Sequence, residues 1–273
     1  MDKYAVFGNP IKHSKSPAIH HKFAELLNEP LQYEAILAPI DGFSAAVNHF
    51  FASGGLGANV TMPFKEQAFE MCNQVSDRAK SAGAVNTLKK LANGELYGDN
   101  TDGAGLVNDL LNNDITLKGK HILLMGAGGA ARGVLLPLIE QKPASITLVN
   151  RTKSKALQLA GLFSKHINIA VYDFPELPIA NYDVVINSTS SSIEGVLPNI
   201  TAEHIQSTSA VYDMVYSDDE TIFIAWAKSH NQHAVLLDGI GMLIGQAAEA
   251  YNVWRHKTPP VDQVIKLAKN KAL

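Results

Sequence analysis

The run Lys120–Gly133, KHILLMGAGGAARG, carries the most specific chemical signal in this 273-residue chain. A short apolar segment, His121–Met125, passes directly into Gly126-Ala127-Gly128-Gly129-Ala130-Ala131 and then into a helical pattern. Gly126 suits the tight turn between strand and helix, and Gly128 lets the backbone approach a pyrophosphate. The small Ala131 allows helix and strand to pack closely. Amide groups and the dipole at a helix start hold phosphate, so the chemistry indicated is dinucleotide binding. About 20 residues further on, an acid would bind the ribose hydroxyls of NAD. The sequence has none there. It has Asn150-Arg151-Thr152 and then Lys155, a cationic pocket suited to the 2′-phosphate of NADP.

A second set of residues could move a proton. Lys65 falls in the first turn of an expected helix, where the dipole favours acids over cations. It reads either as a solvated surface lysine or as one aimed into a cleft, with a pKa low enough to exchange protons. Asp102, in the polar turn Tyr97–Gly103, would make a proton-handling pair with Lys65, the acid stabilising the amine and both touching one hydroxyl. Spacing alone does not show that they meet, and Asp102 or Thr101 would serve equally as a helix cap.

Further polar residues sit where apolar segments end. Ser14 and Ser16 lie at a loop–helix junction before Pro17, with Ser16 also suited to capping. Asn59 and Thr61 alternate with Val60 and so share one side of a strand, and Asn86 interrupts the apolar Ala84–Leu91. Such strand tips suit a hydroxyl-rich or carboxylate ligand. The hydroxyl-rich loop Asn187–Ser192 would border the nicotinamide ribose or be a plain polar loop, and Tyr216 is another cleft candidate. Gly239, Met242 and Gln246 share one face of the last long helix. His230 and His233 lack a third ligand, so no metal site is expected.

Alternating strands and helices must position these residues. The pattern predicts strands at 4–8, 32–38, 56–62, 84–91 and 95–98, with helices at 18–28, 43–52, 64–73 and 104–111. Pro63 is expected to start the third helix, and Asn93-Gly94 marks a hairpin. After the glycine turn come strands at 145–149, 168–172, 182–187, 210–214 and 234–238. The expected fold class is α/β. An N-terminal α/β substrate domain has a mainly parallel sheet with an antiparallel edge, and a Rossmann-type NADP domain follows. Leu243, Ala247, Tyr251 and Trp254 form an apolar stripe that returns the C-terminal helices to the first domain. The domains expected are therefore 1–101 with 240–273 (substrate binding and catalysis) and 102–239 (NADP binding).

Composition narrows the function classes. Hydrophobic residues at 46% and charged residues at 18% describe an ordinary globular protein, and the net charge of −3 gives no footprint for nucleic acid. The single cysteine, Cys72, excludes an internal disulfide and reads as a small buried hydrophobe. No signal peptide and no apolar run of membrane-spanning length are visible, so a cytoplasmic protein with no membrane partner is expected. An edge strand in the first domain can support a homodimer, although nothing visible requires one.

Taken together, FGNPIKHSKSP, GANVTMPFKE, AGAVNTL, GDNTDGAG, GAGGAARG, NRT and DGIGMLIGQAAEA make the chain resemble the shikimate dehydrogenase family nearly end to end. The resemblance implies NADPH-dependent, reversible reduction of 3-dehydroshikimate to shikimate in aromatic amino acid biosynthesis. It implies that Lys65 is the acid/base with Asp102 its partner. Ser14, Ser16, Thr61, Asn86, Asp102 and Gln246 would bind substrate hydroxyls and carboxylate, with Asn59 and Tyr216 lining the site. NADP(H) contacts would come from Gly126, Ala127, Gly128, Gly129, Ala130, Asn150, Arg151, Thr152, Lys155, Thr189, Met214, Gly239 and Met242. Asp77 is a peripheral cofactor contact by analogy; its position alone reads as a helix cap. The chain departs from the family at Ser191 and Ser192, where relatives commonly carry a glycine, and at Asp218, which replaces a proline. A quinate-active relative and a non-catalytic NADP sensor are the other readings; Arg151 argues against an NAD-linked quinate enzyme, and retention of Lys65 and Asp102 against the sensor.

Overall fold

The computed structural model describes residues 1–273. The chain forms two compact units, one of Met1–Gly105 with Leu243–Leu273, the other of Leu106–Met242.

The first unit begins with β1 (Asp2–Gly8), α1 (Ser16–Leu27), β2 (Leu31–Leu37), α2 (Phe43–Ala52) and β3 (Gly55–Val60). It continues with α3 (Lys65–Met71), β4 (Gln74–Val75), α4 (Asp77–Ala82), β5 (Thr87–Lys90) and β6 (Leu96–Asp99), and α5 (Asp102–Asn112) then leads out of it. The sheet order is β2-β1-β3-β5-β6-β4. Residues 4–8 of β1 are fully buried, as expected of a strand flanked on both sides. Strand β5 is antiparallel to both β3 and β6, while the other pairs are parallel. The antiparallel strand β5 is therefore internal, flanked by β3 and β6, and short β4 adds a parallel strand outside β6.

Local chemistry explains most boundaries. Pro17 sits in the first turn of α1, and Asn28 closes the helix in a left-handed conformation, its N–H bonding Ala24 and Glu25 carbonyls. Ser16 is already helical and caps nothing. Pro63 does not start a helix. It lies in a turn closed by the Phe64 N–H on the Thr61 carbonyl (3.0 Å), and α3 begins at Lys65 because Phe64 is drawn inward to stack on Phe43 at 4.6 Å. Ser76, not Asp77, caps α4, accepting from the Ala79 N–H at 3.1 Å. A bulge between Lys3 and Tyr4 shifts the register against β3. Phe7, Phe43, Val47, Phe50 and Phe64 fill the core that includes α2.

The second unit contains the rest of α5, then β7 (His121–Met125), α6 (Gly129–Glu140), β8 (Ser145–Val149), α7 (Lys153–Leu162), β9 (Ile169–Tyr172) and β10 (Val184–Asn187). β11 (Ala210–Asp213), α8 (Ile222–His230) and β12 (Val235–Leu237) complete it. Its sheet is all parallel in the order β12-β11-β10-β7-β8-β9. Ile122 and Leu124 face a core shared with α5, α6 and α7, whereas Leu123 and Met125 face one shared with α8. Burial on both faces is why these strands read as continuous apolar runs. The order reverses beside β7, and ligands of such sheets bind beyond the strand ends at that point.

The long helix α9 (Ile240–Arg255) carries the chain back into the first unit, where α10 (Val261–Lys269) ends it. Of the expected apolar stripe, Ala247, Tyr251 and Trp254 are buried; Trp254 stacks on Tyr4 at 4.8 Å and donates to the Leu88 carbonyl at 2.9 Å. Leu243 is only half-buried. No helix is long and apolar enough to cross a membrane.

Candidate active site

In the first unit, four predicted residues meet in one hydrogen-bonded cluster. Lys65 opens α3, and Val85 N–H holds its carbonyl at 2.9 Å, tying the helix start to the segment before Asn86. Lys65 Nζ lies 2.5 Å from Asp102 Oδ2. Asn86 Nδ2 donates to Asp102 Oδ1 at 2.7 Å and to Gln246 Oε1 at 3.3 Å, and lies 3.0 Å from Thr101 Oγ1. Asp102 has both oxygens engaged and its side chain is 7% exposed, against 20% for Lys65. An ammonium has three donors and Asp102 takes one, so Lys65 keeps donors for a further oxygen.

Asn59 is buried, and its carboxamide is spent inside the protein. It accepts from Tyr33 Oη at 2.7 Å and donates to the Asn86 carbonyl and Thr87 Oγ1, each at 3.2 Å. It supports Asn86 from behind. Ser16 is also buried, with its hydroxyl beside that of Tyr33, whose pKa burial pushes well above the usual value. Ser14 is half-buried and Oγ accepts from the Ser16 N–H at 3.3 Å. Thr61 is half-buried, bonded through its own N–H to the Phe7 carbonyl at 2.9 Å. Its methyl lies so close to Gly8 that a Cβ there would fall 2.5 Å from it. Asp77 is an exposed residue of the first turn of α4.

In the second unit the glycine turn joins the end of β7 to α6. Gly126 has φ +109°, and a Cβ there would lie 2.6 Å from Ser188 Oγ, so the turn needs glycine twice over. Gly128 and Gly129 differ: a Cβ at either would meet nothing within 4 Å. No protein contact demands glycine at those positions, and no side chain caps the start of α6. The open space and the uncapped N–H groups fit a pyrophosphate.

The loop after β10 lies against this turn. Ser188 N–H and Oγ both bond the Met125 carbonyl, at 2.9 and 2.6 Å. Thr189 Oγ1 donates to Asn187 Oδ1 at 2.7 Å, and the Met214 N–H donates to the Asn187 carbonyl at 2.9 Å. Gly239 is pinned beneath Met214, whose carbonyl a Cβ would approach to 2.2 Å, and Met242 is buried. Tyr216 is half-buried just beyond. At the tip of β8, Asn150 Nδ2 bonds the Thr152 carbonyl at 2.9 Å, and Arg151, Thr152 and Lys155 are exposed. Lys153 is paired with Glu176, leaving Arg151 and Lys155 as the cations without a carboxylate partner.

Of the buried acids that the sequence reading missed, two end strands. Asp213, at the end of β11, accepts from Asn187 (3.0 Å), Ser192 (2.5 Å), Thr221 (2.8 Å) and the Val215 N–H (3.2 Å). Burial raises its pKa, and these donors only partly offset that. Asp99, at the end of β6, is the other. Each closes a strand whose other residues are apolar or small, and no spacing pattern sets it apart in the sequence. No three His, Cys, Asp or Glu side chains gather as metal ligands.

Comparison with known proteins gives matches along most of the chain. Residues 6–88 match the family model described as the shikimate dehydrogenase substrate binding domain. Residues 108–218 match shikimate / quinate 5-dehydrogenase, and residues 239–269 the shikimate 5'-dehydrogenase C-terminal domain. The shikimate dehydrogenase (NADP(+)) of Vibrio cholerae is 53% identical over 99% of this chain and 97% of its own. Among solved structures, an Ael1 enzyme from Pseudomonas putida is 40% identical with a TM-score of 0.91, covering 97% of each chain. The Thermus thermophilus shikimate 5-dehydrogenase, solved with NADP(H) and shikimate, is 32% identical with a TM-score of 0.87 over 100% of both chains. This chain belongs to the shikimate dehydrogenase family.

Proposed function

We propose that the protein catalyses the reversible, NADPH-dependent reduction of 3-dehydroshikimate to shikimate, the step its relatives' names describe. The observation that carries this reading is the 2.5 Å Lys65–Asp102 pair, braced by Asn86 and Gln246 in a cluster of hydroxyl-binding groups. The unit of Met1–Gly105 with Leu243–Leu273 binds the substrate, and the unit of Leu106–Met242 binds NADP(H).

In the second unit, Gly126 to Ala130 would hold the pyrophosphate at the start of α6. Arg151, Thr152 and Lys155 would hold the 2′-phosphate, with Asn150 shaping that tip. Thr189, Met214, Gly239 and Met242 would flank the nicotinamide end, and Asp77 stays a peripheral contact. When bound, NADPH would supply the hydride that reduces the carbonyl carbon. Lys65 then gives a proton to the carbonyl oxygen, and in the reverse direction takes it from the hydroxyl. Asp102 keeps the amine beside that oxygen and balances its charge. Ser14, Ser16 and Thr61 hold the ring carboxylate, while Asn86 and Gln246 fix ring hydroxyls, so orientation supplies much of the acceleration. Tyr216 is a further lining residue in this reading, while Asn59 acts from behind by holding Asn86.

The reading includes a cytoplasmic location and, through an edge strand of the first unit, a capacity to form homodimers. The decisive assay follows nicotinamide absorbance with shikimate or quinate, each against NADP and NAD. Turnover should be fastest with shikimate and NADP. Equal rates with quinate would make it a dual-specificity enzyme, and tight NADPH binding with no turnover would make it a sensor.

A further inference from the structure

The proton-handling pair rests on a second ion pair three residues upstream. Asp99 is 3% exposed, and its carboxylate is saturated. Oδ1 accepts from Ser76 Oγ at 2.5 Å, Arg78 Nε at 2.7 Å and the Asn100 N–H at 2.7 Å; Oδ2 accepts from Arg78 Nη2 at 2.8 Å. The two-pronged guanidinium contact fixes direction as well as distance, which a lysine would not do.

From Asp99 the constraint passes to Asp102 one residue at a time. The Asp99 carbonyl accepts from the Asn86 N–H at 3.0 Å. Asn100 Nδ2 bonds the Ala84 carbonyl at 3.0 Å, and its Oδ1 accepts from the Asp102 N–H at 3.2 Å. The Thr101 N–H donates to Asn86 Oδ1 at 2.9 Å. Arg78 also reaches Glu249 on α9, with Nη1 3.5 Å from its carboxylate. Glu249 lies one turn beyond Gln246, whose Oε1 takes a hydrogen bond from Asn86. One arginine on α4 thus touches both the strand tip that leads to Asp102 and the helix that carries Gln246.

We infer that Arg78 and Asp99 are positioning residues for the reaction, setting the orientation of Asp102 and Asn86, and through Glu249 that of Gln246. The inference rests on the function proposed above. Burial pushes the Asp99 carboxyl up, but the Arg78 fork, Ser76 and the Asn100 N–H outweigh it and leave the pKa below its usual value. The lowered pKa favours the charged carboxylate that the Arg78 fork grips.

The test compares wild type with Arg78→Gln and Arg78→Lys in the full chain. It measures kcat and KM for shikimate, the pH profile of kcat, and NADPH affinity by fluorescence titration. Arg78→Gln should lose on the order of 10- to 100-fold in kcat/KM for shikimate and alter the pH profile, with NADPH affinity unchanged. Arg78→Lys, which keeps the charge against Asp99 and so the fold, should recover only part of that loss. It decides the matter alone if Arg78→Gln does not fold. Kinetics and pH profile within twofold of wild type in the folded variants would overturn the positioning role. So would an equal fall in NADPH affinity, which marks a general structural defect. If wild type itself does not oxidise shikimate, the proposed function fails before Arg78 is at issue.

Discussion

At the residue scale, the site separates groups that react from groups that hold them. Lys65 has one partner, Asp102, and spare donors, so its removal deletes a proton and little packing. Lys65→Ala should lower kcat by roughly 10²- to 10⁴-fold, the usual range for a lost general acid, with NADP affinity nearly unchanged. Near-normal turnover would remove Lys65 from the mechanism. Arg151 gives the opposite pattern, since it is exposed and has no carboxylate partner. Its replacement by alanine should leave the melting temperature alone and raise KM for NADP by about 10- to 100-fold, the worth of one charge-assisted bond. An unchanged NADP to NAD preference would show that the 2′-phosphate lies elsewhere. Residue types foretold this division unevenly. Lysine in a helix first turn and arginine in place of an acid stood out by breaking local rules. Asn59 looked like a ligand because it is polar in an apolar strand; only the fold shows its carboxamide consumed by Tyr33, Asn86 and Thr87. Arg78 and Asp99 were invisible as a pair because 21 residues and two strands separate them.

At the element scale, what was legible depended on length and burial. The parallel sheet of the second unit could be read strand by strand, since burial on both faces leaves runs such as Ile122-Leu123-Leu124-Met125. β4 is two residues long, too short for any periodicity to show, so the strand outside the hairpin is not legible in the sequence. The turn after β7 allows a sharper experiment than its motif does. Gly126→Ala forces a left-handed φ on a residue with a Cβ, against Ser188 as well, and should cost about 1–3 kcal/mol of stability. Gly128→Val meets no protein atom within 4 Å at its Cβ, in a backbone conformation open to any residue. It should leave stability within about 0.5 kcal/mol of wild type, as surface changes do, while weakening NADP at least tenfold. Urea melts beside NADPH titrations separate the two. Equal effects of both substitutions on stability would mean that Gly128 serves the turn and not a ligand.

At the scale of the whole molecule, the clearest expected signature is acid lability, and its source is His20. This side chain is fully buried, stacked on Tyr33 at 4.2 Å and flanked by Phe23, Tyr251 and Trp254. Neither ring nitrogen has a hydrogen-bond partner. Burial pulls its pKa down from 6.5 to about 3, a shift that Asn59 beside it only partly offsets. Below pH 6.5 the unfolded chain therefore binds a proton that the folded chain refuses. Stability is fully present above 6.5 and is lost at up to ~1.4 kcal/mol per pH unit down to about 3. Asp99, with its lowered pKa, adds to the loss only further down, as the pH falls through the carboxylate range. Asp213, with its raised pKa, works in reverse, because its burial is least costly when protonated. The interval from pH 6.5 to 5 lies above most carboxylate titration and isolates the histidine. Urea unfolding across it should show wild type losing ~1.5 kcal/mol more than His20→Leu, whose side chain suits the same aromatic surroundings and takes up no proton. Parallel losses in the two proteins would mean that His20 is hydrated or bonded in solution, and that the acid sensitivity of the half carrying Lys65 and Asp102 arises from another group.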